Sequence, residues 1–377
     1  MSKTRLHELA EFGQSAWLDY IDRALIESGK LKKLIDQGLR GMTSNPSIFD
    51  QAISKSKDYD EKILHLKEKG RSTFEIYDEL TVKDIKDACA LFEPIFKETS
   101  RLDGYVSLEI NPKLANDTQA SIKEGKRLFE KVKYANCMIK VPATQAGYPV
   151  IEELIAHGIN VNVTLIFSLD QYVETVKAYF KGLSRALDKK IDISQIRSVA
   201  SVFVSRLDTS VDALLDEKVA QTTDASVKEQ LQALKGKAAV ANCRLIYEKF
   251  KELFSSKEFK DLFECKANSQ RVLWGSTSTK NPEYSDIKYV TELIAKHTVN
   301  TIPEKTLLAF IDHGQVGAAF SEDAEGAQDI IEALKAEGID IRKICLQLLQ
   351  DGVVAFEKSF DSLIHSLETK AQQLCAK

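Results

Sequence analysis

Short apolar or alternating runs recur along the chain, each followed by a longer stretch whose apolar residues return every three or four positions. The runs at 15–21, 41–46, 104–110, 137–143, 160–167, 198–205, 270–276 and 298–303 read as β-strands. Helical periodicity covers 73–99, 115–133, 145–157, 168–188 and 284–296 between them. Eight strand–helix alternations predict an α/β protein, a (β/α)8 TIM barrel of parallel strands ringed by helices.

Two regions exceed a minimal barrel. Residues 207–268 predict a charge-rich helical insertion between strands 6 and 7, with apolar spacing through Leu207, Val211, Leu214 and Leu215. Beyond strand 8, 325–337 and 340–374 predict extra C-terminal helices, spanning 325–374 together. In the second, Ile341, Cys345, Leu348, Phe356, Phe360, Leu363 and Leu367 form a stripe, and Gly352 is a candidate kink. Both regions are expected to pack on the barrel or a partner subunit rather than to carry chemistry. Low-complexity tracts and proline-rich linkers are lacking, so residues 1–377 are expected to form a single barrel domain.

Within the fourth run, Cys137-Met138-Ile139-Lys140-Val141-Pro142, an ammonium group sits in an apolar strand. Parallel strands are covered on both faces. A desolvated lysine favours its neutral amine, a nucleophile able to condense with a carbonyl carbon. The fifth run supports a polar lumen. Asn160, Asn162 and Thr164 share one face while Val161, Val163, Leu165 and Phe167 share the other. Buried amides and hydroxyls need partners, and a lysine opposite is expected to provide one.

Reacting groups of a barrel gather at the carboxyl ends of its strands. There the chain places Asp19, Thr43-Ser44-Asn45, Glu109 with Asn111, Lys140, Asn162 with Thr164, and Ser201 with Phe203 and Arg206. After strand 7 comes Ser276-Thr277-Ser278-Thr279-Lys280. Two carboxylates and one amine suit carbonyl chemistry, which needs protons moved on and off a carbinolamine. Arg206 with the 276–280 cluster suits a phosphate.

Composition narrows the chemistry. A formal net charge of −4 argues against a nucleic-acid partner. The chain has neither an 18-residue uncharged apolar run nor an N-terminal leader pattern, so a soluble cytoplasmic protein without membrane contact is expected. Six scattered cysteines form no metal-binding spacing and suit reduced thiols. All six histidines fall outside the strand ends, and HExxH, Walker A and GxGxxG-before-helix patterns are missing. The expectation is an amine-based route with no metal and no cofactor.

Gly41-Met42-Thr43-Ser44-Asn45-Pro46-Ser47-Ile48-Phe49 and Met138-Ile139-Lys140-Val141-Pro142-Ala143-Thr144 resemble the two signature segments of the transaldolase family. Asn160–Ser168 and Ser201–Arg206 resemble two more, and the length and insertion are similar to the longer bacterial-type subgroup. The resemblance implies a class I Schiff-base transferase of the pentose phosphate pathway. Such an enzyme moves a dihydroxyacetone unit from sedoheptulose 7-phosphate to glyceraldehyde 3-phosphate, giving erythrose 4-phosphate and fructose 6-phosphate. By position it implies Lys140 as the imine-forming residue, Asp19 as the acid/base of carbon–carbon cleavage, and Glu109 and Thr164 as holders of a relay water. It further implies Asn45, Asn162 and Ser201 on the dihydroxyacetone hydroxyls, Phe203 shaping the pocket and Arg206 on the phosphate. Many family members carry a second arginine after strand 7; here Lys280 is its expected substitute, a point charge without the arginine fork. Sugar phosphates are the implied partners, and a homodimer is the assembly considered. Two rivals are a fructose 6-phosphate aldolase, whose shorter chains usually lack a carboxylate at the Glu109 position, and a silent barrel used for assembly.

Overall fold

The computed structural model describes residues 3–320 and 325–375. Eight parallel strands close into a barrel in sequence order: β1 (Gln14–Asp19), β2 (Gly41–Thr43), β3 (Tyr105–Glu109), β4 (Cys137–Pro142), β5 (Val161–Ile166), β6 (Ser198–Phe203), β7 (Arg271–Gly275) and β8 (Thr298–Ile302). Each strand is buried along almost its whole length because helices cover its outer face and side chains fill the lumen.

The lower lumen is an apolar plug of Trp17, Tyr105, Met138, Val199, Leu273 and Val299, with Phe96 packed against it. Gly41 is required beside Trp17: a Cβ there would stand 2.6 Å from the indole. Below the plug, Arg271 donates to Asp103 at 2.8 Å, to the Leu102 carbonyl at 2.7 Å and to Ser15 at 2.8 Å. Ser15 in turn donates to the second Asp103 oxygen at 2.9 Å, so this buried ion pair has both acceptor oxygens occupied.

Four of the five expected inter-strand helices form at Thr73–Glu98, Thr118–Val132, Gly147–Ile155 and Leu169–Asp188. The stretch 284–296 departs from its helical pattern: only Lys288–Thr291 is α-helical. Leu293, Ile294 and Ala295 are buried consecutively, a demand that no single helix face meets, so the chain unwinds there. The insertion resolves into the helices Ser205–Gln221, Ala225–Leu234, Ala238–Phe254 and Lys257–Glu264. Asp208 ties the first of these to the third and to Lys288–Thr291, accepting from the Ala239 amide and the Tyr289 hydroxyl, each at 2.7 Å.

After the helix Glu325–Ala336, the last helix runs unbroken from Ile341 to Cys375 and lies across the carboxyl mouth. It passes through Gly352, the candidate kink, without ending. The glycine serves close packing instead, since a Cβ there would lie 2.9 Å from Leu165 Cδ2. Ser47 donates to Ser359 at 2.7 Å, Tyr77 meets Phe360 edge-on at 5.3 Å, and Lys370 pairs with Asp60 at 2.8 Å. These contacts fix the helix over the barrel.

Candidate active site

The carboxyl mouth opens into a cavity of about 340 Å³ whose wall includes Asp19, Asn45, Lys140, Ser201, Phe203, Arg206 and Lys280. Seven of the ten residues singled out from the sequence therefore share one pocket. The other three, Glu109, Asn162 and Thr164, lie beneath its wall in the lumen and are buried.

Lys140 is 4% exposed, and register pairs it with Glu109 on β3 and Asn162 on β5. Neighbours in parallel register point to the same side, so all three enter the lumen. The amine lies 3.6 Å from Glu109 Oε2 and donates to the Ser44 carbonyl at 3.2 Å. Burial pushes the Glu109 carboxyl up to about 7, with Lys140 opposing that rise and Asp19 adding to it. Within hydrogen-bonding range, neither Glu109 Oε2 nor Thr164 Oγ1 meets a partner among the described residues. Buried polar atoms ordinarily have a hydrogen-bond partner, so these two positions stand out in the lumen.

Asp19 ends β1 on the other side of the amine. Burial raises its pKa, while Lys140, a hydrogen bond from Thr43 and Lys280 pull it back. Thr43 donates to Asp19 at 2.7 Å and stands 2.7 Å from the Thr301 hydroxyl, so Thr301 can donate onward to Thr43. This hydroxyl chain holds one carboxylate oxygen in place. Its Thr301 member was not singled out from the sequence.

The amides divide their tasks. Asn45 caps the helix Pro46–Lys55, its Oδ1 accepting from the Ile48 amide at 3.0 Å, which leaves its NH2 to face the pocket. Asn162 does not use Lys140 as its partner, contrary to expectation. It donates to Ser107 at 3.0 Å and accepts from Ser201 at 2.6 Å, so its direct effect is to orient Ser201. Asn160 is committed to backbone instead: it donates to the Ala135 and Cys137 carbonyls and accepts from the Arg197 amide. Alternation on β5 also breaks at Leu165, whose φ of 58° accompanies a register shift against β6.

The far end of the pocket is cationic. Arg206 occupies the first turn of Ser205–Gln221 with its guanidinium 5.4 Å over the Phe203 ring. Ser276, Ser278 and Lys280 face it, and Lys280 donates to Ser278 at 2.7 Å. A helix N-terminus, a guanidinium, an ammonium and hydroxyls together suit a phosphate. Phe356 from the last helix closes the wall, its ring centroid 6.0 Å from the Lys140 amine. The last helix thus packs on the barrel, as expected, and one of its packing residues also lines the pocket.

A parallel eight-stranded barrel with a buried amine, nearby acids and a cationic end suits carbonyl chemistry on a phosphorylated substrate. The family model for transaldolase/fructose-6-phosphate aldolase matches residues 16–367. The chain is 45% identical to the transaldolase of Trichodesmium erythraeum, and 42% identical to the transaldolase 2 of Nostoc punctiforme, over 99% of each chain in both comparisons. It is also 42% identical to the transaldolase 2 of Streptomyces coelicolor, over 98% of each chain. The chain belongs to the transaldolase family.

Proposed function

We propose that Lys140 carries the transferase reaction as a Schiff base, passing a dihydroxyacetone unit from sedoheptulose 7-phosphate to glyceraldehyde 3-phosphate. The amine adds to the ketose C2 carbonyl, and the carbinolamine loses water to give an iminium. Asp19 then takes the proton of the C4 hydroxyl as the C3–C4 bond breaks. Erythrose 4-phosphate leaves, and its bonding pair stays on the enamine. The enamine attacks the aldehyde carbon of glyceraldehyde 3-phosphate, Asp19 returns its proton to the new alkoxide, and water hydrolyses the imine to release fructose 6-phosphate. Glu109 and Thr164 hold the water that moves protons during imine formation and hydrolysis. Asn45 and Ser201 bind the dihydroxyacetone hydroxyls, with Asn162 holding Ser201. Phe203 shapes the wall, and Arg206 and Lys280 bind the phosphate.

The observation that carries this reading is the Lys140 amine, buried in the lumen 3.6 Å from the raised-pKa Glu109 carboxyl. Borohydride reduction in the presence of fructose 6-phosphate should add a dihydroxyacetone unit to the peptide containing Lys140. A label on another lysine, or none, would refute the imine assignment.

The same reading takes the chain as one domain, supported by a core cluster that runs from Leu6 to Ala371. A reducing cytoplasm is supported by buried free thiols at Cys89, Cys137, Cys243 and Cys345. Among the described residues no helix is long and apolar enough to cross a membrane. Sugar phosphates rather than nucleic acid are its partners, in keeping with the net charge of −4. A homodimer would find apolar side chains to cover in the exposed Leu346 and Val354 of the last helix. Light scattering of the purified chain tests that assembly.

A further inference from the structure

At the opposite, N-terminal face of the barrel, a second cavity of about 560 Å³ is bounded by Phe96, Ser100, Arg101, Tyr134, Gln195 and Arg197. Its charges do not balance. Arg197, partly buried, donates only to carbonyls: Ser194 at 2.7 Å, Ile196 at 3.0 Å and, weakly, Ser100 at 3.4 Å. The Arg101 guanidinium rests 5.3 Å over the Phe96 ring, and neither arginine has an ion pair among the described residues. Arg271 lies close enough to repel Arg197 but is already matched by Asp103, as Lys97 is by Glu93. Two positive charges are thus left over, although the whole chain is acidic. Partly buried charges are ordinarily paired, because removing an ion from water is costly without a counter-charge.

The backbone adds to the picture. Ser100 and Arg101 take φ values of 50° and 67°, two successive non-glycine residues in the left-handed region. Such a conformation is strained for a residue with a side chain and persists only where its surroundings hold it. This turn brings Arg101 to the cavity beside Arg197. The plug of Trp17, Tyr105, Met138, Val199, Leu273 and Val299 separates the cleft from the catalytic mouth.

We propose that this cleft binds a small phosphomonoester, with Arg101 and Arg197 on its phosphate. Two guanidinium groups match a dianion by charge and by their forked donors. The volume exceeds that of a bare phosphate, and the Tyr134 ring and the Gln195 amide in the wall suit the organic part.

Binding is measured on the full chain carrying Arg206→Gln and Lys280→Gln, which removes the cationic end of the mouth. Calorimetry with inorganic phosphate and with glucose 6-phosphate should show one remaining site that prefers the ester. The Arg101 side chain stacks on the Phe96 ring and makes no hydrogen bond or ion pair among the described residues, so Arg101→Gln should leave the fold intact while weakening both ligands at least ~10-fold. In the otherwise native enzyme, Arg101→Gln should leave sugar transfer unchanged. Loss of all binding in the double variant, or binding indifferent to Arg101→Gln, would overturn the site. An ester bound no more tightly than phosphate would overturn the choice of ligand.

Discussion

Two buried ion pairs lie in the same barrel, and they are built differently. On the floor, Arg271 and Asp103 meet at 2.8 Å, and Ser15 and the Leu102 carbonyl occupy further donors and acceptors of the pair. At the mouth, Lys140 and Glu109 stand 3.6 Å apart, and Glu109 Oε2 finds no hydrogen bond among the described residues. A satisfied pair under an apolar plug has nothing left to offer a ligand. A pair with an unpartnered carboxylate oxygen beside a 340 Å³ cavity suits the proposed attack by the amine and proton transfer by the carboxyl. Charge and burial alone do not distinguish the two pairs; the hydrogen bonds left unmade do.

The sharpest way to break this contrast is to remove one member of each pair. Lys140→Met should abolish transfer and borohydride labelling while leaving the melting temperature nearly unchanged, because methionine fills similar space and Glu109 can take up a proton. Asp103→Ala should do the reverse. It leaves a buried guanidinium unpaired, at a cost of about 3–5 kcal/mol in stability, yet the folded fraction should turn over normally. Denaturant unfolding with parallel assays checks both. An inactive but stable Asp103→Ala would erase the distinction.

Glu109→Gln tests the proton role within the mouth. The native carboxyl, pushed up to about 7, gains its charge as pH rises through neutrality, so a relay using the carboxylate accelerates from pH 6 to 8 and then levels. The glutamine variant should lose that inflection and slow transfer by ~10²–10⁴-fold. A pH–rate profile of the same shape in both proteins would exclude Glu109.

Much of the candidate site was legible in the sequence, though the Arg271–Asp103 pair was not, and the exceptions have physical causes. Lys140 stood out because a charge in an apolar strand is rare, and Asp19, Glu109 and Arg206 because the barrel rule brings strand ends together. Thr301 was hidden. Strand β8 carries polar residues on both faces: Asn300 accepts from Thr277 while the next residue, Thr301, bonds Thr43, so alternation gave no sign of which side was the lumen. Asn160 was misjudged because parity assigns a face but cannot tell a lumen amide from one that staples strand starts. The 284–296 stretch failed because its helical stripe coexists with consecutive burial. Phe356 was concealed most fully. It occupies the same apolar stripe as Cys345, Leu348 and Phe360, and only tertiary packing reveals that this one position overhangs the pocket.

Phe356 offers the finest adjustment of the contrast. Its ring lines the cavity beside Lys140, and with Leu165 and Val353 it also borders the crevice that holds Glu109. If burial raises the Glu109 carboxyl, this apolar wall is part of the cause. Phe356→Leu keeps an apolar residue of lower volume and should cost on the order of 1–2 kcal/mol in stability. Water gaining access to Glu109 should then move the inflection of the pH–rate profile below that of the native enzyme, without the large loss expected for Glu109→Gln. The release of free dihydroxyacetone from fructose 6-phosphate should rise modestly as well, since a looser wall lets water compete with the acceptor sugar. An inflection that stays in place would mean that the strands alone keep Glu109 dry and that the last helix has no part in tuning the mouth.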